Sequence, residues 1–247
     1  MSVSVTFILG LIHVIKSQNN CPGTINESPL VDDQPSLIRN VENGKLFTVD
    51  GNGIIDPPLY VAHVYGSSYD MGFAYGKLMS NEIAKQLNDF WDYLDESIEQ
   101  YIWFLPKDIQ EKIAVDGSDY ALQYVYDLAE PFIPQRYIDM MQGTADGSGV
   151  SYTNISRLTM VPELIKAGCS MVGAWNTAVR DDKGSLIQLR ALDWSTDTPL
   201  QQYPLVTVFH PNNGNGNHHA TVGWIGFLGA ITGMNSRVGI CEKVWLH

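Results

Sequence analysis

The strongest constraint on this chain is an apolar stripe that starts at Met71 and recurs at Tyr75, Leu78, Ile83, Leu87, Phe90, Leu94, Ile98 and Ile102. Steps of three to five residues put these side chains on one face of a helix, and Pro106 ends the run. Ser67 followed by Asp70 has the spacing of a capping box, so the helix is expected to open there. Such a face must be buried against another layer. Shorter helices are predicted over 107–115, 118–129 and 135–142, the first and last opening after a proline. A loop over 143–149 and a last helix over 152–161 complete the front of the chain, which follows a short strand over 59–65.

At residue 169 the period changes from helix to strand. Cys169, Met171 and Trp175 alternate with Ser170, Val172 and Asn176. The segment Arg180-Asp181-Asp182-Lys183-Gly184 has the acidic and glycine residues of a reversal, and a second strand runs over 185–192 to Asp193. A hairpin brings Arg190 and Asp193 back beside Cys169. The two have opposite parity, so both reach the thiol only if the strand bends, bulges or ends between them. Further strands are expected over 205–210, 220–225, 228–232 and 238–246. Helix-rich then strand-rich order predicts an α/β fold with segregated layers, not the alternation of a doubly wound sheet.

A thiol at the first residue of a strand has two readings. Free cysteine usually packs as a small apolar side chain. If the peptide bond between Gly168 and Cys169 were cut, however, the new chain end would carry a nucleophilic sulfur and an amine able to act as its base. Arg190 would then favour the thiolate and Asp193 would orient the site.

These residues carry a resemblance. Gly168-Cys169-Ser170 opening a strand, a turn ending in Lys183-Gly184, and then Leu189-Arg190-Ala191-Leu192-Asp193-Trp194 resemble the cysteine N-terminal nucleophile (Ntn) hydrolases, in the branch of isopenicillin N acyltransferase and the acid ceramidase-like proteins. Ser68 to Gly76, with Gly72-x-x-x-Gly76, and Thr232-Gly233-Met234-Asn235 followed by 239–245 are similar to two further stretches of that branch, in the same order. The resemblance covers about Tyr60 onward. It implies an αββα sandwich, a precursor cut after Gly168, and Cys169, Arg190 and Asp193 as catalytic residues, with Glu242 in a supporting acidic role. It also implies an asparagine for the oxyanion and further strands beyond residue 247, so a C-terminally incomplete chain is expected. Residues 1–17 read as a signal peptide and 18–58, rich in Asn, Asp, Pro and Gly, as an irregular leader, while the resemblance implies a helical pro-segment over 59–168 and the start of the catalytic sheet domain over 169–247. The activity implied is an amidohydrolase or acyltransferase acting on small N-acyl or lipid amides, with no cofactor and with the two chains of one precursor as partners. The alternative is a catalytically silent, secreted binding protein that keeps the fold.

Charge narrows the partners. Up to Gly168 there are 22 acidic against 10 basic side chains, and from Cys169 onward five against five. That acidity argues against nucleic acid, which requires a basic footprint, and against anionic lipid surfaces. Residues 2–15 are apolar but too short to span a membrane, and suit a signal-peptide core or a buried strand. With the sequons at Asn26 and Asn154, this reading points to secretion or to a lysosomal or endomembrane lumen. Thr48 to Leu59 has a passing likeness to a calcium loop and lacks a carboxylate at its first and twelfth positions. His210, His218 and His219 lie near one loop without cysteine or carboxylate ligands at useful spacing, so no metal is expected. A papain-type protease is disfavoured because the Cys-Gly-Ser-Cys-Trp pattern is absent. Three cysteines leave a pairing of Cys21 with Cys241 open.

Overall fold

The computed structural model describes residues 33–51, 53, 55–97, 102, 103, 105–164, 168–179, 186–193, 197–214 and 216–241. They form a mixed α/β fold with a large mixed sheet and six helices. The seven strands of that sheet are β1 (Ser36–Val41), β2 (Gly44–Val49), β3 (Leu59–Gly66), β6 (Pro204–Pro211), β7 (His219–Trp224), β8 (Thr232–Met234) and β9 (Gly239–Cys241), in that spatial order. Two more strands, β4 (Gly168–Trp175) and β5 (Leu186–Asp193), form a separate antiparallel hairpin. All neighbours are antiparallel except β3 and β6, whose parallel pairing brackets every helix and the hairpin.

Strands β1 and β2 correct the expectation of an irregular leader where they run, between residues 36 and 49; residues 1–32, with the expected signal peptide, lie outside the described residues. The turn between them is made by Glu42 and Asn43, and Asn43 takes the left-handed φ of 58° that asparagine tolerates. The Asn, Asp, Pro and Gly content around this hairpin concealed its apolar residues Leu37, Leu46 and Phe47. Leu46 is fully buried.

The helices are α1 (Ser68–Leu78), α2 (Ser80–Ser97), α3 (Lys107–Asp116), α4 (Ser118–Ala129), α5 (Gln135–Ser148) and α6 (Tyr152–Leu164). The expected capping box at α1 is present: the Asp70 amide donates to Ser67 Oγ at 3.1 Å and the Ser67 amide donates to Asp70 Oδ2 at 3.0 Å. Donation from the Ser67 hydroxyl and amide holds the Asp70 carboxyl below its ordinary range. The long stripe does not form one helix. Met79 breaks it with a non-helical backbone, φ −121° and ψ 20°, and Leu78, Met79 and Ile83 around the break are all fully buried. Ser118 at the start of α4 is held from outside, its amide and hydroxyl donating to Asp95 of α2.

A second correction concerns 143–149, expected as a loop. Helix α5 runs through it and ends at Gly149, which has a left-handed φ of 78°. Gly143 and Gly147 stay helical because they sit against α1. A Cβ on Gly143 would meet Tyr69 O and one on Gly147 would meet Phe73 O; reciprocally, Gly72 faces Met140 O and Gly76 faces Thr144 O. The two helices cross backbone to backbone, and glycine is what allows it.

Strand parity sorts the sheet into two faces. Leu46, Ala62, Val64, Leu205 and Phe209 are buried on the helix side and join the core with Tyr75, Phe90, Leu122 and Leu158. The opposite face carries His63, Tyr65 and His210. There His63 Nδ1 lies 3.0 Å from His210 Nε2, and His210 Nδ1 lies 3.1 Å from His218 Nδ1. Tyr65 stacks on His210 with ring centroids 4.4 Å apart. Each such contact needs one donor and one acceptor nitrogen, so the row accommodates a single added proton. Burial first, with Lys45 second, lowers the His63 pKa; burial first, then His63 and His218, lowers that of His210. Folded-state values below the unfolded value of about 6.5 mean stability that is present above that value and lost as pH falls through the folded ones. The urea midpoint is therefore expected to fall more steeply between about pH 7 and 5 in the wild type than in His210→Phe, which keeps the stacking ring. Equal slopes would exclude this role for the row.

Candidate active site

The hairpin register is continuous from Gly168 opposite Asp193 to Trp175 opposite Leu186. Directly opposed residues of an antiparallel pair share a face. Leu192 stands opposite Cys169 and Arg190 opposite Met171, so the thiol and the guanidinium are on the same face, one diagonal step apart. Asp193 stands beside Gly168 on the other parity, its side chain outside what is described. No bulge intervenes. The register thus brings Arg190 to the thiol's face and Asp193 to the residue preceding it.

That face turns toward the large sheet on the side away from the helices. Arg190 Nε donates to Thr232 Oγ1, and its guanidinium carbon lies 6.0 Å from the centre of the Trp224 ring. Gln188 Nε2, on the same parity, donates to Ile240 O at 2.6 Å. Cys169 is only 8% exposed, but Met171, Trp175 and Leu186 of the same face are 42%, 59% and 50% exposed, so burial is confined to the part of the face near the thiol and Arg190. Arg190 and Gln188 thus join the hairpin to β7, β8 and β9, and the thiol is buried.

Arg190 is held by more than a single contact. Its Nη1 is buried and has no hydrogen-bond partner among the described residues, an arrangement that leaves one strong donor available at the thiol's face. Cys241 stands opposite Thr232 across β8 and β9, and both Cys169 and Cys241 are free thiols. Cys21 and Glu242 lie outside the described residues, as does Asn26. Asn154 lies in the first turn of α6, its amide donating to Ser151 Oγ at 3.2 Å.

Sequence reasoning missed Trp224, Gln188 and the contact of Thr232 with Arg190. Thr232 opens a stretch already noted for its likeness to the Ntn branch, and Gln188 shares the parity of Arg190, but neither signal reveals a partner on another sheet. His210 and His218 do approach each other, through ring nitrogens, while His219 stacks on Phe209 with centroids 4.8 Å apart.

Fold and site together define a mixed α/β protein with a buried cysteine at the start of a hairpin that Arg190 and Gln188 tie to the large sheet. No known family model matches the chain. It is 41% identical over 246 residues to Protein dcd1A of Dictyostelium discoideum, covering 95% of this chain and 55% of that protein. Against Protein dcd1B of the same organism it is 37% identical over 224 residues, covering 88% and 44%. The chain spans about half the length of the curated relatives it matches.

Proposed function

We propose that the protein is an autoprocessing cysteine amidohydrolase or acyltransferase of the Ntn type, acting on linear N-acyl amides that include lipid amides. The observation that carries this reading is the hairpin register, with Arg190 on the face of Cys169 and Asp193 across from Gly168. In the first step the Cys169 sulfur attacks the Gly168 carbonyl carbon. The peptide C–N bond breaks, a thioester forms, and the nitrogen leaves as the α-amine of Cys169 after taking up a proton. Water then hydrolyses the thioester, leaving a carboxylate at Gly168 and a free thiol and amine on Cys169. In turnover the same sulfur attacks a substrate amide, the α-amine moves the proton to the departing nitrogen, and water or an amine resolves the acyl-enzyme. The unpartnered Arg190 Nη1 supplies a charged donor at this face. The hairpin is the beginning of the second sheet of an αββα sandwich, and the lumen of the secretory or lysosomal system is where such a precursor would mature.

Intact mass and N-terminal sequencing of the expressed full-length polypeptide test the reading. A fragment beginning at Cys169 is expected from the wild type, and an uncut chain from Cys169→Ala. A wild-type chain that stays whole would overturn the enzyme and leave a binding protein of the same fold.

A further inference from the structure

Two cavities lie away from the thiol, on the helical side. The larger, about 620 Å³, is walled by apolar side chains of α4, α5, α6 and the turn between α4 and α5, among them Val125, Leu128, Phe132 and Met160. The smaller, about 290 Å³, is lined by Arg136, His219, Asn217 and Asn235 and has no carboxylate in its wall. Tyr137 and Leu228 belong to both walls, so the cavities adjoin. The larger volume falls in the range of about 300–1,000 Å³ typical of small-molecule sites.

We propose that the two cavities together bind a long-chain monocarboxylate, with its alkyl chain in the larger cavity and its carboxylate on Arg136 in the smaller. The inference stands independently of the role given to Cys169. Charge is the first argument. In a chain of net charge −12, this wall offers a guanidinium with no carboxylate partner among the described residues; Arg136 lies over the Tyr137 ring at 4.9 Å instead. One guanidinium matches one planar monoanion in a bidentate pair, whereas a phosphate dianion would be left under-neutralised in so acidic a protein. Apolar surface is the second. Phe132 and Leu128 at the larger cavity are 84% and 60% exposed, which is area an alkyl chain would take out of water. The His219 Nδ1 hydrogen donates to Asn217 O at 2.8 Å and holds that side of the polar cavity in place.

Calorimetry with dodecanoate, octanoate, dodecanol and dodecylammonium below their micelle concentrations tests the proposal. Dodecanoate is expected to bind one to one. Octanoate should bind about 200-fold more weakly, since each buried methylene is worth about a factor of four. Arg136→Gln is expected to weaken dodecanoate about 10-fold or more and to leave dodecanol unchanged, and Leu128→Asp to weaken both. Both positions are exposed, so neither variant threatens folding. Tighter binding of dodecylammonium, drawn by Glu163 at the larger cavity, would overturn the proposal, as would indifference to Arg136→Gln or the absence of saturable binding.

Discussion

Gly143→Ala is expected to lower the melting temperature by roughly 6–12 °C, the equivalent of about 3 kcal/mol in a domain of this size. The new methyl would be driven against Tyr69 O and the Phe73 amide, both of them backbone atoms of α1 that have no rotamer to escape into. The helices must part, and parting disturbs the core that both line, α1 with Met71, Ala74 and Tyr75 and α5 with Met140, Met141 and Ala145. Gly72→Ala is expected to do the same from the other side, through Met140 O. Gly223→Ala in β7 is the control, because a Cβ there has nothing within 4 Å and the change is expected to be neutral or mildly stabilising. Thermal unfolding of the three variants decides the matter; equal melting temperatures would mean that α1 and α5 do not need backbone contact.

Replacing Arg190 should have the largest effect on chemistry. With Arg190→Gln, the rate of scission before Cys169 is expected to fall about 100-fold or more, the scale seen when one preorganised charge stabiliser is removed. Lysine is not expected to rescue it. Arg190 uses its Nε on Thr232 while Nη1 stays available, and a single ammonium cannot serve two directions. Scission followed by mass against time gives the rate, and the melting temperature separates lost chemistry from a loosened hairpin. Wild-type scission in Arg190→Gln would remove the guanidinium from the mechanism and leave it as a clasp between hairpin and sheet.

Much of this architecture was legible along the chain. The cap at Ser67, the start of α3 after Pro106 and the hairpin from Cys169 to Asp193 are local features, encoded in residues a few positions apart, and they fall close to where periodicity and turn chemistry put them. The failures share a cause. Gly143 and Gly147 look like loop formers until α1 arrives against them. Leu37 and Leu46 sit in a segment whose composition hides two strands, because pairing of β1 with β2 and of β2 with β3 supplies what propensity lacks. Met79 falls within an apolar stripe that reads as continuous, and its non-helical backbone is visible only in the folded chain.

Periodicity and turn residues were enough to establish the kinds of elements, the location of the hairpin, and the presence of Cys169 and Arg190 on strands that return to one another. Their information is contained in windows shorter than a strand pair. The parallel pairing of β3 with β6, the seating of the hairpin on the sheet face away from the helices, the contact of Arg190 with Thr232 and the row of His63, His210 and His218 came from the folded chain alone. Each joins residues far apart in sequence, and any of several apolar strands could have satisfied the same alternation; packing and loop closure choose between them.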